Sequence, residues 1–253
     1  EGMEARAKEQ GFLIDNFWLN QEGMQADRIK DILASRNIQG VILGPLAKSG
    51  TLDHFDWSQW SSAALGDTLS SPRLHRVTHH QFHGMEVILE NLTRKGYRRI
   101  GLAVDTLSDE KVGHAWTSYM SGYHLRIPVK DRVPVHVIPT GAGKKDRSKL
   151  ETWIQKHRPE VLVGHDGLLH WLRELQVKIP EDLAFAHLSL PSAFDSKSKL
   201  PLSGLDQNWA QVGGAAVDLV AAQIYRNERG IPLNPKTILL EGFWVEGETV
   251  PDR

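Results

Sequence analysis

Apolar residues along the chain fall into two rhythms. Short runs such as Gly40-Val-Ile-Leu-Gly44, Val161-Leu-Val163 and, within the expected strand Arg99 to Val104, everything after the opening arginine are apolar without a break, as buried strands of a parallel sheet are. Between them lie stretches whose apolar residues recur every three or four positions: Met3 to Gln10, Met24 to Ser35, Gly84 to Thr93, Trp116 to His124, Lys149 to His157, Leu168 to Leu175 and Gln211 to Arg226. Further strands are expected at Ala63 to Gly66, Val133 to Ile138, Leu183 to Leu188 and, as the closing strand, Ile238 to Val245. Strand and helix alternate throughout, the pattern of an α/β protein with parallel sheets covered by helices. The loosest stretch is Phe194 to Leu200. In such sheets ligands bind at the carboxyl ends of strands, which singles out Asp67, Thr140, His165, Asp166 and Ser189.

Composition narrows the function. The chain has 253 residues, 30 Lys plus Arg against 31 Asp plus Glu, and a net charge of -1, so it offers no dominant phosphate-binding surface. Without cysteine it can form no disulfide, thiolate metal site or cysteine nucleophile, and it suits a reducing, cytoplasmic setting. The apolar runs are too short to span a membrane. The amino terminus is charged and lacks a signal core; since residue 1 is Glu, the sequence is expected to begin inside a longer protein.

Familiar catalytic patterns fail one by one. Gly141-Ala-Gly143-Lys144-Lys145 lacks the leading glycine and the Ser/Thr of a phosphate loop, and reads as a basic turn. No G-x-G-x-x-G follows a strand, so no dinucleotide or other cofactor is expected, and no G-x-S-x-G elbow marks a serine hydrolase. No carboxylate pair stands out, so no catalytic residue is assigned and the chain is read as a non-enzyme. His79, His80 and His83 cluster at a helix start, with His79 and His83 one helical turn apart. No third ligand is marked by spacing, so they are read as hydrogen-bonding residues and no metal is assigned. Eight tryptophans leave some free to line a pocket, where a flat apolar face suits a sugar ring.

Four segments, in order, resemble the ligand-binding core of the LacI/GalR family of bacterial transcription regulators. They are Gly2 to Phe12, similar to the family's first helix and the run into its second strand; Ile38 to Gly44; Val77 to Gly84 with Gly96-Tyr-Arg-Arg-Ile-Gly101; and Pro159 to Asp166, continued by Ile179-Pro-Glu-Asp182, Gln207 and Gly213-Gly-Ala-Ala. The resemblance implies a periplasmic-binding-protein-like type I fold of two Rossmann-like lobes around a ligand cleft, with the first strand missing from this sequence. The expected lobes are 1–78 with 205–236, and 79–204 with 237–253. It also implies a homodimer that binds a small effector in the cleft and operator DNA through a helix-turn-helix segment outside this sequence. Pairing is expected through Met24 to Ser35 and an exposed Trp57 or Trp60. A periplasmic sugar-binding protein of a transporter is the alternative, and a glycoside-active enzyme a more distant one.

Carried over residue by residue, the resemblance puts Asp67, His80, Tyr119, His165, Asp166, Ser189 and Trp209 at the ligand. His165 stands in the Asn slot of an Asn-Asp pair, Ser189 in an Asp slot, Tyr119 in an Arg slot, and His79 or His80 in an Asp/Asn slot. Asp166 also reads as the N-cap of the helix that follows it. Losing the Arg fork disfavours a carboxylate or phosphate, while Asp, neutral His and aromatic walls suit a sugar or polyol.

Overall fold

The computed structural model describes residues 2–18, 26–190 and 201–253. Along the chain, α1 (Gly2–Glu9), α2 (Ala26–Ser35), β1 (Gly40–Leu43), β2 (Gly50–Thr51), β3 (Ser61–Leu65), β4 (Leu69–Ser71) and β5 (His75–His79) come first. A longer stretch follows with α3 (Gln81–Arg94), β6 (Ile100–Asp105), α4 (Thr106–Lys111), α5 (Ala115–Arg126), β7 (His136–Ile138), α6 (Lys144–His157), β8 (Val161–Gly164), α7 (Asp166–Glu174), β9 (Ala184–His187) and β10 (Ser203–Asp206). Last come α8 (Trp209–Tyr225), β11 (Thr237–Leu240) and β12 (Phe243–Val245). The chain forms two compact units, residues 1–79 with 209–240 and residues 80–208 with 241–253.

Unit 1 is a parallel sheet of order β1-β3-β5-β11, with a separate β2–β4 pair. Its most enclosed strand, β3, is buried at all five positions, which explains its small residues, Ser61-Ser-Ala-Ala-Leu65. Helix α8 lies on this sheet and buries Gln223, whose amide accepts from the Ser62 N–H and donates to the Ser62 carbonyl, each at 3.2 Å. Helix α1 then packs tightly on α8. A Cβ on Gly213 would meet Met3 Cγ at 2.9 Å, so glycine there permits the approach.

Unit 2 is a six-stranded sheet of order β12-β10-β9-β8-β6-β7, parallel except for the antiparallel β10–β12 pair. Side chains alternate across it with period two. Ile100, Leu102, Val104, Val161, Val163, Ala184 and Ala186 face α3 and α5, meeting Met85, Ile88, Leu92, Trp116 and Met120. Ala103, Leu162 and Phe185 face the opposite way, toward Leu150 and Trp153 of α6 and Leu168, Leu169 and Leu172 of α7. Both faces are dry, which is why these strands read as unbroken apolar runs.

The structure departs from the sequence expectations at several points. Ile238 to Val245 is two strands rather than one: β11 pairs with β5 in unit 1, and β12 pairs with β10 in unit 2. Gly242 allows the break, since a Cβ there would lie 2.5 Å from the Asp206 carbonyl oxygen. The unit boundaries therefore fall at 208/209 and 240/241, four residues beyond those expected from the resemblance. Residues 12–18 form no strand, and Leu13 is fully exposed. Trp57 and Trp60 are not exposed but buried, at 4% and 1%. Trp60 packs with Ile29 and Leu33 of α2, and Phe55 tilts against both indoles, so these rings fill a core instead of waiting for a partner. Met24 and the stretch 194–200 lie outside the described residues.

Candidate functional site

At the carboxyl edge of the unit 2 sheet, β6 and β9 end on the polar residues Asp105 and His187, and His165 follows β8 directly. Asp105, the last residue of β6, caps α4 by accepting the Ser108 N–H at 2.8 Å. Past β8 the chain turns through His165 into α7, and the His165 carbonyl accepts the first helical bonds, from the N–H groups of Leu168 and Leu169. Asp166 is thus the first residue of the helix, one place beyond the N-cap position expected for it, and His165 occupies the cap position. A carboxylate in a first turn is favoured by the helix dipole.

His187, the last residue of β9, is buried. Its Nδ1 accepts the Ser189 N–H at 3.1 Å, so the ring proton of the neutral imidazole sits on Nε2. That nitrogen faces Asp166 Oδ1 at 3.2 Å and donates to it. The His165 ring lies 5.8 Å from that of His187 and 4.8 Å from the Trp116 ring on α5. His165 Nε2 is buried and, among the described residues, has no hydrogen-bond partner. Burial, reinforced by the neighbouring His187, pushes the His165 imidazole down to about 4. Burial also lowers His187, against the pull of Asp166. Both rings are therefore neutral near pH 7.

The indole that faces His165 is held in turn. Trp116 Nε1–H donates to Gln81 Oε1 at 3.1 Å, and the Gln207 amide donates to the same oxygen at 3.3 Å. Tyr119, one helical turn after Trp116, is buried instead, with its ring edge-on to Phe82 at 4.6 Å and the Arg126 guanidinium 5.6 Å away. Burial raises its phenol. His80 is the N-cap of α3 and accepts the His83 N–H on Nδ1 at 3.1 Å. His79 ends β5 rather than lying on α3, so the helical-turn spacing read for His79 and His83 does not exist. Among the described residues no three His, Asp or Glu side chains are arranged to hold a metal.

In unit 1, Asp67 follows β3 and accepts from the Thr78 hydroxyl at 2.8 Å, with Arg76 Nη1 at 3.7 Å from its other oxygen. Trp209 opens α8 partly exposed, its ring meeting buried His79 edge-on at 4.3 Å. The structure thus gathers His165, Asp166 and Ser189 around His187 in unit 2, and places Asp67 and Trp209 in unit 1. Sequence reasoning missed Gln81, Trp116 and His187. His187 did leave a signal, a polar residue closing the apolar run Leu183 to Leu188; Gln81 left none.

A recess of about 480 Å³ lies elsewhere in unit 2, among Asn91, Arg94, Lys95, Glu246, Asp252 and Arg253. Most of its charges are paired: Lys95 with Glu246 and Asp252 inside it, and Arg253 with Glu160 beyond it, while Arg94 bonds to Asn91 Oδ1.

Residues 89–250 match the periplasmic binding protein-like domain. The chain belongs to that family. Solved structures of periplasmic binding protein-like folds include close matches in shape. The transcriptional regulator CelR in complex with cellobiose is 16% identical, with a TM-score of 0.68 over 98% of this chain and 76% of that one. A LacI family transcriptional regulator from Enterococcus faecium with bound ribose is 16% identical, with a TM-score of 0.66 over 100% of this chain and 92% of that one. The lac repressor dimer bound to operator and an anti-inducer is 14% identical, with a TM-score of 0.64 over 99% and 76%. No curated protein matches the sequence. The fold is that of the ligand-binding core of LacI-type regulators. Among the described residues no helix is long and apolar enough to cross a membrane.

Proposed function

We propose that the chain is the effector-sensing core of a LacI-type transcription regulator, and that its effector is a sugar or a related polyol. The observation that carries this reading is the strand-end group of unit 2. Among the described residues Asp166 is bonded to His187 and Asp105 to a backbone N–H, so no lysine or arginine neutralises either carboxylate. Carboxylates accept hydrogen bonds from vicinal hydroxyls, and neutral imidazoles both donate and accept. The Trp116 ring beside His165 offers apolar contact to the C–H face of a pyranose or furanose. A phosphate or carboxylate would meet like charge here and no Arg fork.

His165, Asp166 and Ser189 of unit 2, and Asp67 and Trp209 of unit 1, are the proposed ligand contacts. His80, engaged as a helix cap, and Tyr119, packed on Phe82, are proposed to shape the wall. Effector binding shifts a conformational equilibrium that a DNA-binding segment reads; a coupling of about 1–3 kcal/mol gives roughly a 5- to 150-fold change in operator affinity. The regulator acts in the cytoplasm as a homodimer, the assembly named for the lac repressor among its structural neighbours. It performs no catalysis. The test is an operator mobility shift with the full-length gene product, with and without ribose, xylulose and cellobiose. A sugar-dependent change in operator affinity supports the regulator. Sugar binding without DNA binding would favour a transport binding protein, and turnover of a glycoside an enzyme.

A further inference from the structure

Asp166 presents an anomaly of order. Its side chain is 78% exposed, yet it is bonded to a ring that is only 1% exposed. An exposed aspartate on the first turn of a helix samples several staggered rotamers. One hydrogen bond from a freely moving partner would restrict it little. His187, however, is buried and held on several sides. Its Nδ1 is held by the Ser189 N–H, its ring meets Phe185 at 6.1 Å and His165 at 5.8 Å, and it sits against Gly204 of β10. A Cβ on Gly204 would fall 2.8 Å from His187 Cβ and 2.4 Å from the His187 carbonyl oxygen, so only glycine lets β10 come this close to the backbone and Cβ from which the ring projects. The chain Ser189 N–H to Nδ1, then Nε2–H to Asp166 Oδ1, transmits the rigidity of the sheet to a carboxylate at its edge.

We propose that His187 is a positioning residue: it fixes the direction of the Asp166 carboxylate, and thereby which ligand hydroxyl geometry the unit 2 site accepts. This rests on the reading of that edge as a sugar site, but the orientation of Asp166 exists without ligand and can be tested without it. Both ring nitrogens are needed, for different jobs. The acceptor on Nδ1 sets the ring, and the donor on Nε2 sets the carboxylate. A charged imidazolium could not accept the Ser189 N–H, so the arrangement belongs to the neutral ring.

Two near-isosteric substitutions separate the jobs. His187→Gln keeps a donor near the Nε2 position and loses the Nδ1 acceptor, whereas His187→Asn keeps the acceptor and loses the donor. The first measurement is the set of α–β proton couplings of Asp166, with no ligand present. Wild type and His187→Gln should show one dominant χ1 rotamer, and His187→Asn an average over several. The second is calorimetric titration with D-ribose, D-xylulose and cellobiose. For a sugar that binds the wild type, His187→Asn should weaken affinity about tenfold, the scale of one lost charge-assisted hydrogen bond, and His187→Gln less than about threefold. In an Asp166→Ala background, His187→Asn should make no further difference.

Unchanged Asp166 couplings in His187→Asn, or equal losses from both substitutions, would overturn the proposal. Should no sugar bind the wild type, the sugar reading falls, while the couplings still decide the role of His187. Should His187→Asn not fold, the His187 Nε2–H resonance takes its place. Loss of its downfield position on Asp166→Ala supports the bond, and an unmoved signal refutes it.

Discussion

Acidification should destabilise unit 2 through His165 in particular. The imidazole lies between the Trp116 ring and His187 with Nε2 buried, and burial takes it from 6.5 in the unfolded chain to about 4. Between those values the unfolded chain holds more protons than the folded one. The stabilisation is therefore complete above about pH 6.5 and is lost as the pH falls toward about 4. The linkage relation gives a loss of about 2 kcal/mol at pH ~5 and about 3 kcal/mol below pH ~4. His75, His124, His136 and His187 are also lowered by burial and add to the wild-type slope. The difference between wild type and His165→Asn isolates the one ring, since Asn does not titrate. The assay is urea denaturation at pH ~7.5 and pH ~5, followed by tryptophan fluorescence and circular dichroism. With a slope of about 2 kcal/mol per molar urea, the wild-type midpoint should drop by about 1 M more than that of the variant. Equal drops, within about 0.5 kcal/mol on the same scale, would show that His165 is not desolvated and would remove the basis for its neutral role.

Trp60→Ala, which empties the space between Ile29, Leu33 and Phe55, should cost about 3–5 kcal/mol in denaturant unfolding. A loss below about 1 kcal/mol would return Trp60 to the surface. Gly204→Ala, forced against the His187 backbone, should destabilise unit 2 by at least about 1–3 kcal/mol and broaden the His187 ring signals; a neutral result would mean that β9 and β10 lie further apart than described. For the best-binding sugar, Asp67→Ala should lower calorimetric affinity by about one to two decades and blur the choice between epimers. Trp209→Ala should cost a comparable amount with epimer preference kept. If neither weakens binding by about threefold, unit 1 contributes no contact through these residues.

The alternation of strands and helices was legible because parallel strands covered on both faces are written as apolar runs: Ile100 to Val104, Val161 to Val163 and Ala184 to Ala186 each show it. Strands β5 and β10 were not legible. Each is short and partly polar, with His75, Thr78, His79 and Ser203 buried, and His75 and Ser203 are answered by distant groups. His75 Nδ1 accepts the Lys236 N–H, and Thr249 Oγ1 accepts the Ser203 N–H; contacts that distant in the chain leave no local pattern. The tryptophans misled for a related reason. Trp57 and Trp60 stand among Asp53, His54, Asp56 and Ser58, a polar setting that reads as surface; only Ile29 and Leu33 of α2, packed on Trp60, and Leu43, Ala64, Leu69 and Leu74, packed on Trp57, make a core of them. At the candidate site, strand-end reasoning found His165, Asp166 and Ser189. The residue that ties them together, His187, reads in the sequence only as part of the strand Leu183 to Leu188, because its importance lies in bonds to Ser189 and Asp166 that only the folded turn creates.

The central claim is that this chain binds a neutral polyhydroxylated ligand, and isothermal titration calorimetry tests it directly. D-ribose, D-xylulose and cellobiose, with D-ribose 5-phosphate and D-glucose 6-phosphate as charged counterparts, would each be titrated into the chain at near-neutral pH. At least one unphosphorylated sugar should give saturable one-to-one heats, and the phosphorylated sugars none. Binding confined to the phosphorylated sugars, or no saturable heat from any sugar, would contradict the account.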